Sequence, residues 1–339
     1  MIKFLPSPLS KAWSLSKAWS MVGLALASLF LTVACAGQNA NQPAPLVSGT
    51  NNWVGYTGHH IAVGKGFFKE QKVNVQDVFF TSESDQQTAF LAKKLDIAWF
   101  TSGTAVQVAA KDPSAKIVYL IDYSNGGDGI IGRGIKSPQD AKGKTIARED
   151  ILFEKVLLRA YLNKGGLTEN DVSIKSMPAA DAATAFAGKQ VDIAVSYEPY
   201  LRKAAQQGGG EVIFSTENTN LIADVVMVHG NILQERKADL QAYFKAVDQA
   251  VKLAVAADPE AMKITGEKLG ISGDEVKEQL KLLKLFDVEG NKTVGFNPAN
   301  PQNIKGNLEL NAKAAYDFKM IPSPLQADQL YDDSIVKSL

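Results

Sequence analysis

Residues 88–98 read TAFLAKKLDIA and residues 184–194 read TAFAGKQVDIA, so seven of eleven positions recur after an offset of 96 residues. In each copy a helical pattern ends near a lysine, an aspartate turns the chain, and an apolar run begins a buried strand. Because internal repetition reflects repeated architecture, the sequence predicts two similar lobes of helices and strands. The alternative is a chance similarity between two amphipathic helix–strand units.

The two copies diverge directly after the shared start of the strand. Trp99-Phe100-Thr101-Ser102 follows the first copy, and Val195-Ser196-Tyr197-Glu198 follows the second. Ligands of open α/β sheets bind beyond the carboxyl ends of the strands. A common scaffold with two different strand ends therefore predicts one ligand-binding gap between the two lobes.

Length and composition restrict the classes of protein that the chain can belong to. With 339 residues, of which 45% are hydrophobic, the chain can bury the cores of about two domains. Its 36 basic and 36 acidic residues balance, which argues against a nucleic acid or another polyanion as partner. Residues 1–34 contain three lysines and no acidic residue, so the rest of the chain is mildly acidic.

The amino terminus has the pattern of an export signal. Three lysines precede an apolar run over residues 21–34, which is shorter than the roughly 20 residues that a spanning helix needs. Residues 1–34 are therefore predicted to be a signal peptide. We expect an exported protein, in the periplasm or at the outer face of the cytoplasmic membrane.

Cys35 is the one cysteine of the sequence, and it follows the apolar run directly. Leu31-Thr32-Val33-Ala34-Cys35 resembles a bacterial lipobox, although Thr32 stands where Leu is usual. The resemblance implies lipid attachment at Cys35; the alternative is an incidental cysteine behind a plain signal peptide. Residues 35–45 are rich in Ala, Asn, Gln and Pro, which is typical of a disordered tether.

Strand and helix patterns alternate along the rest of the chain, which predicts mostly parallel sheets with helices on both faces. A dense turn at residues 125–129 marks the first crossing between lobes, and the apolar run at residues 222–229 returns the chain. Lobe one is predicted to comprise 46–126 plus 227–339, and lobe two 127–226. The main predicted strands are 46–54, 73–80, 96–101, 116–123, 144–148, 172–177, 191–197 and 211–215, and the main predicted helices are 59–71, 84–94, 102–111, 153–164, 179–190, 198–207, 276–285 and 304–318.

Nearly all of the mature chain resembles the periplasmic solute-binding proteins of ABC importers, in the NMT1-like branch for nitrate, taurine, sulfonates and thiamine-pyrimidine precursors. The stretches that carry the resemblance are 64–70, 122–128, 140–147 and 191–200. The resemblance implies a two-lobed α/β fold of the periplasmic-binding-protein type II, with a ligand cleft between the lobes. It also implies hinge closure around a small molecule, delivery to an ABC permease in the membrane, a monomer, and neither catalytic residues nor a cofactor.

One stretch departs from the family pattern. Many relatives carry a turn rich in glycine, serine and threonine after the strand at residues 144–147, and that turn suits oxyanions. Here Arg148-Glu149-Asp150 follows the strand. Two carboxylates would repel an anion unless the arginine offsets them, which weakens an assignment to nitrate or a sulfonate.

Aromatic and polar residues at the predicted strand ends are candidates for the ligand site. Aromatic walls with few polar groups are typical of small-molecule clefts, although ordinary core packing is the alternative for each ring. Ser102 and Gly103 begin a helix whose N–H groups could hold a polar group, or the serine could be a simple N-cap. The full candidate set is Trp53, Tyr56, Thr57, Trp99, Thr101, Ser102, Gly103, Asp122, Tyr123, Asn125, Asp128, Glu149, Asp150, Tyr197 and Glu198.

Acidic residues dominate the polar part of this set. Asp122 and Asp128 flank the first crossing, and Glu149 and Glu198 face them if the two lobes are related by pseudo-symmetry. The hypothesis is a cleft with excess carboxylate that takes an amine, an amidine or a pyrimidine nitrogen. The alternative is that these residues shape the hinge turn and cap a helix.

Other chemistries receive less support from the sequence. The adjacent His59 and His60 point to different faces of a helix, so no metal site is predicted there. The glycines at residues 129–134 have the wrong spacing for a dinucleotide fingerprint. Two alternatives to transport are an enzyme of similar fold related to thiamine-pyrimidine synthesis and a stand-alone ligand sensor.

Overall fold

The computed structural model describes residues 44–339. The predicted signal peptide, Cys35 and all but the last two residues of the tether lie outside the described residues. The names lobe one and lobe two are kept for the parts of the chain that carry the six-stranded and the five-stranded sheet, respectively.

Strands occur in two groups, one for each sheet. Lobe one contains β1 (Leu46–Thr50), β2 (Val75–Phe79), β3 (Ile97–Thr101), β4 (Lys116–Ser124), β10 (Ala223–Val228) and β11 (Leu283–Leu285). Lobe two contains β5 (Asp128–Gly132), β6 (Thr145–Arg148), β7 (Ser173–Ser176), β8 (Ile193–Tyr197) and β9 (Glu211–Ser215).

Helices connect the strands and extend the carboxyl-terminal third of the chain. They are α1 (Thr57–Lys65), α2 (Phe67–Glu70), α3 (Glu83–Leu91), α4 (Ser102–Lys111), α5 (Leu152–Lys164), α6 (Ala179–Ala187), α7 (Tyr200–Gly208), α8 (Gly230–Glu235), α9 (Lys237–Val255), α10 (Pro259–Leu269), α11 (Gly273–Leu280), α12 (Val288–Gly290), α13 (Ile304–Asp317) and α14 (Ser334–Lys337). In this described part of the chain, the length and apolar character of each helix fall short of what crossing a membrane requires.

The two sheets share one topology. Lobe one has the order β11-β4-β10-β3-β1-β2, and lobe two has the order β7-β6-β8-β5-β9. With β11 set aside, the strands correspond one to one, from β2 and β7 at one edge to β4 and β9 at the other. Parallel pairing joins the first three strands of each series, and β10 and β5 run antiparallel to their neighbours. The predicted two-lobed α/β fold is confirmed, with mixed sheets.

The repeated stretch forms α3 and β3 in lobe one and α6 and β8 in lobe two. Its aspartate makes the same pair of bonds in both lobes. Asp96 accepts the Val47 N–H through Oδ2 at 2.8 Å, and its own N–H donates to the Val47 carbonyl at 2.8 Å. Asp192 does the same with Thr145, at 2.9 and 3.0 Å. The aspartate thus fixes the start of the central strand against its neighbour.

Two crossing segments join the lobes, and they lie side by side. The first runs from the end of β4 to the start of β5, and the second runs between β9 and β10. The Thr216 hydroxyl of the second segment lies 2.7 Å from the Ser124 hydroxyl and accepts the Gly126 N–H at 2.9 Å. Gly127 has no room for a side chain, because a Cβ there would lie 2.6 Å from the Trp53 ring.

Several element boundaries differ from the predicted ones. The strand predicted over residues 46–54 ends at Thr50, and a 3₁₀ turn over Val54–Tyr56 follows. The helix predicted over 276–285 ends at Leu280 and is followed by β11. This helix, α11, begins with a capping box in which Ser272 and Glu275 each accept the other's N–H. Strand β5 was not predicted, because its glycines resemble a turn.

The helix at residues 84–94 also begins earlier than predicted. Ser82, in an extended conformation, accepts the Asp85 N–H at 3.2 Å and is the N-cap in place of Ser84-Asp85. Glu83 therefore becomes the first helical residue. The return to lobe one falls between Ser215 and Ala223, because β10 belongs wholly to the first sheet.

We predict that replacing the repeated aspartate destabilises the fold in either lobe. Asp96→Ala and Asp192→Ala each leave a strand N–H without its charged acceptor, which should lower the free energy of unfolding by about 1–3 kcal/mol. Urea unfolding monitored by circular dichroism measures the change. Lys94→Ala and Gln190→Ala are matched controls, since these neighbours are exposed. Equal midpoints for the aspartate and control variants would contradict the structural role.

Candidate ligand cleft

A narrow cavity lies between the lobes, at the carboxyl ends of β3 and β8. Its empty volume is about 240 Å³, of which about 10 Å³ admits the centre of a water molecule. Lobe one contributes Asn51, Trp53, Tyr56, Glu83, Thr101 and Asp224, and lobe two contributes Asp128, Phe153 and Tyr197. Both variable tips of the repeat therefore reach one cavity, as the sequence predicts.

Aromatic rings close this cavity from both lobes. Trp53 meets Tyr197 edge-on across the lobes, with ring centroids 5.9 Å apart. Tyr197 in turn packs near Phe153 at 6.2 Å. The apolar core of lobe one continues without a break into Leu152, Phe153 and Tyr197 of lobe two. The two lobes are therefore in direct contact across the cleft, and this arrangement is referred to below as closed.

Two aspartates accept hydrogen bonds from the aromatic wall of lobe one. The Trp53 indole N–H donates to Asp122 Oδ2 at 3.2 Å, and the Tyr56 hydroxyl donates to Asp224 Oδ1 at 2.8 Å. Gly55 permits this arrangement, because a Cβ there would lie 2.1 Å from Asp122 Oδ2. The aromatic side chains thus orient both carboxylates while their rings face the cavity.

Glu83 occupies the first turn of α3, where the helix N-terminus favours negative charge. Its Oε1 accepts the Thr101 N–H at 2.7 Å and the Thr101 hydroxyl at 2.9 Å. The end of β3 therefore holds the carboxylate at the cavity wall.

Acceptor capacity remains unused in this cluster. Asp122 Oδ1 and Asp128 Oδ2 are buried, and neither has a hydrogen-bond partner among the described residues. A buried acceptor without a donor costs about 1–3 kcal/mol. Asp128 lines the cavity, so its Oδ2 is available for a donor that enters from outside the protein, whereas Asp122 lies behind the lining residues and beside Asp224.

Burial raises the pKa values of the whole cluster. It raises the pKa of Asp122 to about 8 and that of Asp128 and Glu83 to about 7. Burial, followed by the charges of Asp122 and Asp128, raises the pKa of Asp224 well above its usual range. Among the described residues that line the cavity, none has a basic side chain. The cavity therefore lacks a counter-charge of its own.

Further carboxylates surround the cavity at its lobe-two side. Glu198 is buried and pairs with Arg202 Nε at 3.0 Å. Glu149 accepts a hydrogen bond from the Ser84 hydroxyl of lobe one. Glu154 is fully buried and accepts the Glu149 N–H at 2.5 Å. Within residues 44–339, no three His, Cys, Asp or Glu side chains form a group that could hold a metal ion.

Five of the residues predicted from the sequence line the cavity, namely Trp53, Tyr56, Thr101, Asp128 and Tyr197. Asp122 lies directly behind them, as does Trp99, whose ring meets that of Tyr56 at 5.6 Å. Gly103 lies at the lobe contact, where a Cβ would be 3.2 Å from Leu152 Cβ.

The remaining predicted residues bond elsewhere. The Thr57 hydroxyl meets that of Thr265 at 2.6 Å, and the Ser102 hydroxyl donates to Asn307 at 2.6 Å. The Tyr123 hydroxyl donates to the Gln302 carbonyl at 3.2 Å. Asn125 Oδ1 accepts the Asn218 N–H at 2.8 Å, and the exposed Asp150 pairs with Lys155 at 2.5 Å. None of these five lines the cavity.

Four lining residues were missed by sequence reasoning: Asn51, Glu83, Phe153 and Asp224. Asp224 carries a usable signal, since it is a carboxylate inside the apolar run at residues 222–229. Glu83 was missed because the helix was predicted to begin one residue too late. Asn51 and Phe153 carry no comparable signal.

His59 and His60 lie in the core of lobe one. His59 Nδ1 is 2.8 Å from the Tyr243 hydroxyl, and its Nε2 is 3.2 Å from Asp77. His60 Nε2 is 3.3 Å from the Thr50 hydroxyl, and burial lowers the pKa of His60 to about 3. Both histidines are thus parts of a buried hydrogen-bonding layer under the sheet.

The fold and the cleft define a two-lobed solute-binding type of α/β protein. The chain belongs to the NMT1/THI5-like family, whose sequence profile matches residues 53–262.

Individual relatives agree with this membership. A protein of Brucella abortus (strain 2308), described as a binding protein, is 25% identical over 226 residues, which cover 65% of this chain and 70% of the relative. The periplasmic aliphatic sulphonate binding protein SsuA from Escherichia coli superposes with a TM-score of 0.72 at 17% identity, covering 86% of this chain and 94% of that one. The desulfurization enzyme DszB gives a TM-score of 0.63 at 13% identity, covering 87% and 98%.

We predict that the ligand-free protein loses stability as the pH rises from about 6.5 to about 8. In the folded state Asp128 and Glu83 hold their protons up to a pH of about 7 and Asp122 up to about 8, whereas in the unfolded chain all three are ionised, since aspartate and glutamate ordinarily titrate near 4. Each proton held only by the folded state lowers the free energy of unfolding by about 1.4 kcal/mol per pH unit. Thermal unfolding after removal of bound solute measures the trend.

Asp128→Asn should weaken this pH dependence, because one of the raised groups no longer titrates. Asp181→Asn is the matched control, since Asp181 is exposed on α6 and away from the cavity. A stability that is flat or increasing across this range in the wild-type protein would contradict the raised pKa values of the cluster.

Proposed function

We propose that this protein is the extracytoplasmic solute-binding component of an ABC importer, and that it captures a small organic cation between its lobes for delivery to a membrane permease. Family membership, the two-lobed fold and the closed cleft support the transport role. The predicted export signal supports a site of action outside the cytoplasm, in the periplasm or at the outer face of the membrane. We further propose that the protein acts as a monomer anchored through Cys35.

One observation carries the choice of a cation. Glu83, Asp128 and Asp224 line a closed cavity that has aromatic walls and, among its described lining residues, no basic side chain. A bound cation would supply the missing counter-charge and the missing hydrogen-bond donors. Hydrogen bonds to charged acceptors contribute about 1.5–3 kcal/mol, and a cation over a desolvated aromatic ring contributes up to about 2 kcal/mol.

The cavity in this state is smaller than a ligand pocket. Ligand pockets commonly measure about 300–1,000 Å³, whereas the space here that admits the centre of a water molecule is about 10 Å³. A solute such as an amine, an amidine or a compact heterocycle with a basic nitrogen would therefore be taken up with the lobes further apart. Entry requires open lobes, because little of the closed cavity admits even a water molecule.

An anionic solute is the competing choice, because SsuA is named for aliphatic sulphonates. In this chain a sulfonate would face Glu83, Asp128 and Asp224 with no basic side chain among the described lining residues. A carboxylate that is ionised in this low-dielectric site repels an anion strongly, and one that keeps its proton offers no positive charge to an anion. The electrostatics of this cleft therefore disfavour the sulfonate, although the fold is shared.

Catalysis is the second competing choice, since DszB is an enzyme of related fold. Among the described residues that line this cavity, cysteine, histidine, serine and lysine side chains do not occur. The carboxylates and the hydroxyls of the lining could exchange protons, but the described lining has no imidazole or amine base to activate a hydroxyl as a nucleophile. Binding without turnover is the simpler use of this site.

We predict that isothermal titration of the solute-free protein detects saturable binding of a small amine or amidine. At matched ionic strength, methanesulfonate and nitrate should give no heat of binding. Glu83→Gln and Asp128→Asn should each weaken cation binding by roughly 10- to 100-fold, because each removes one charged acceptor. Asp181→Asn, an exposed acidic control, should bind as the wild type does.

Saturable binding of a sulfonate with no cation bound would contradict the proposal. Mass spectrometry of the recovered solute separates transport from catalysis. A solute recovered unchanged after long incubation supports binding, and a converted solute supports the enzymatic alternative. Quenching of Trp53 fluorescence gives an independent signal, since its ring lines the cavity.

A further inference from the structure

Glu149 occupies an unusual position, because its carboxylate joins the two lobes. The residue follows β6 of lobe two, yet its Oε1 accepts the hydroxyl hydrogen of Ser84 in lobe one. Its Oε2 accepts the Ala179 N–H at 3.4 Å, in its own lobe. The side chain is buried, with 5% of the residue exposed.

Both partners of this carboxylate lie at helix N-termini. Ser84 is in the first turn of α3, and its backbone N–H lies close enough to the carboxylate to lower the pKa of Glu149 against the effect of burial. Ala179 is the first residue of α6. The first N–H groups of a helix lack partners inside the helix, and the helix end carries partial positive charge. Two such ends, one from each lobe, therefore converge on a single anion.

These two helices are equivalent elements of the duplicated unit. α3 and α6 contain the two copies of the repeated stretch, so their N-termini point toward the cleft from opposite sides. Paired helix N-termini across a cleft form an anion-binding arrangement. In this chain the arrangement is already filled by a side chain of the protein itself.

We propose that Glu149 is the built-in anion of the cleft, which holds the lobes closed and excludes anionic solutes. The selectivity part of this inference rests on the proposed cation-binding function, and the closing part does not. Glu149 consumes the N–H groups that an oxyanion would need, and its charge adds to the negative potential around Glu83 and Tyr197. Glu149 thus has two roles: it bridges the lobes, and it keeps anionic solutes out of the cleft.

The closing role is tested without any ligand. Spin labels or fluorophores on exposed positions of the two lobes report the distribution of interlobe distances in the solute-free protein. Glu149→Ala and Ser84→Ala should each shift this distribution toward longer distances, since either change removes the bridge. Glu149→Gln keeps the shape of the side chain but removes its charge. This variant keeps the test informative if the alanine variant does not fold. Asp181→Asn, which removes an exposed charge from the first turn of α6, should match the wild type.

The selectivity role is tested by titration with methanesulfonate. Wild-type protein and Asp181→Asn should show no binding, whereas Glu149→Ala should gain measurable affinity, because the freed N–H groups of Ser84 and Ala179 become available. Cation affinity should fall by roughly tenfold in Glu149→Ala, because the closed state becomes less populated.

The outcomes separate this inference from the proposed function. If Glu149→Ala and Glu149→Gln both show the wild-type distribution of interlobe distances, the proposal that Glu149 holds the lobes closed is overturned. A Glu149→Ala protein that folds and still rejects methanesulfonate overturns the selectivity role. Failure of the wild-type protein to bind any cation would instead overturn the proposed function, and the ligand-free distance measurement would still decide whether Glu149 closes the lobes.

Discussion

Burial of several carboxylates in one closed cleft is the constraint on which the rest of this structure depends. Asp122, Asp128 and Asp224 are each at most 3% exposed, and a carboxylate that leaves water without a partner loses a large solvation energy. The protein can hold these groups as acids or compensate them with a positive solute. The aromatic walls and the contact of the lobes keep water away from these carboxylates, and Gly55 leaves the space that Asp122 occupies.

Much of the fold was accessible from the sequence because it follows from local patterns. The duplicated stretch predicted two equivalent units, and the structure explains the repeated aspartate as a clamp between neighbouring strands. Strand β5 was not predicted, because Gly127 precedes it and Gly129 and Gly132 lie in it, and glycines locally favour a turn. The pairing of β5 with β8 and β9 depends on residues far away in the chain. The mixed sheets follow from that same strand and from its counterpart β10.

The cleft was predicted less completely, for a geometric reason. Thr101 and Tyr197 end strands β3 and β8, and such strand ends can be located from the sequence. The start of a helix is located less well, because predicting α3 to begin at residue 84 left Glu83 outside the helix and outside the candidate set. Residues such as Ser102 have the right position in the chain, yet their hydroxyls bond to a helix from the carboxyl-terminal region.

The paired crossing segments have a mechanical consequence. The hydroxyl and the N–H of Thr216 bond to the first segment, so the two segments form one hydrogen-bonded connection and not two separate ones. Two connections that are bonded to each other favour bending at this joint over rotation of one lobe against the other. If the protein serves a membrane permease as proposed, the angle between the lobes is the quantity by which the permease would tell a loaded molecule from an empty one.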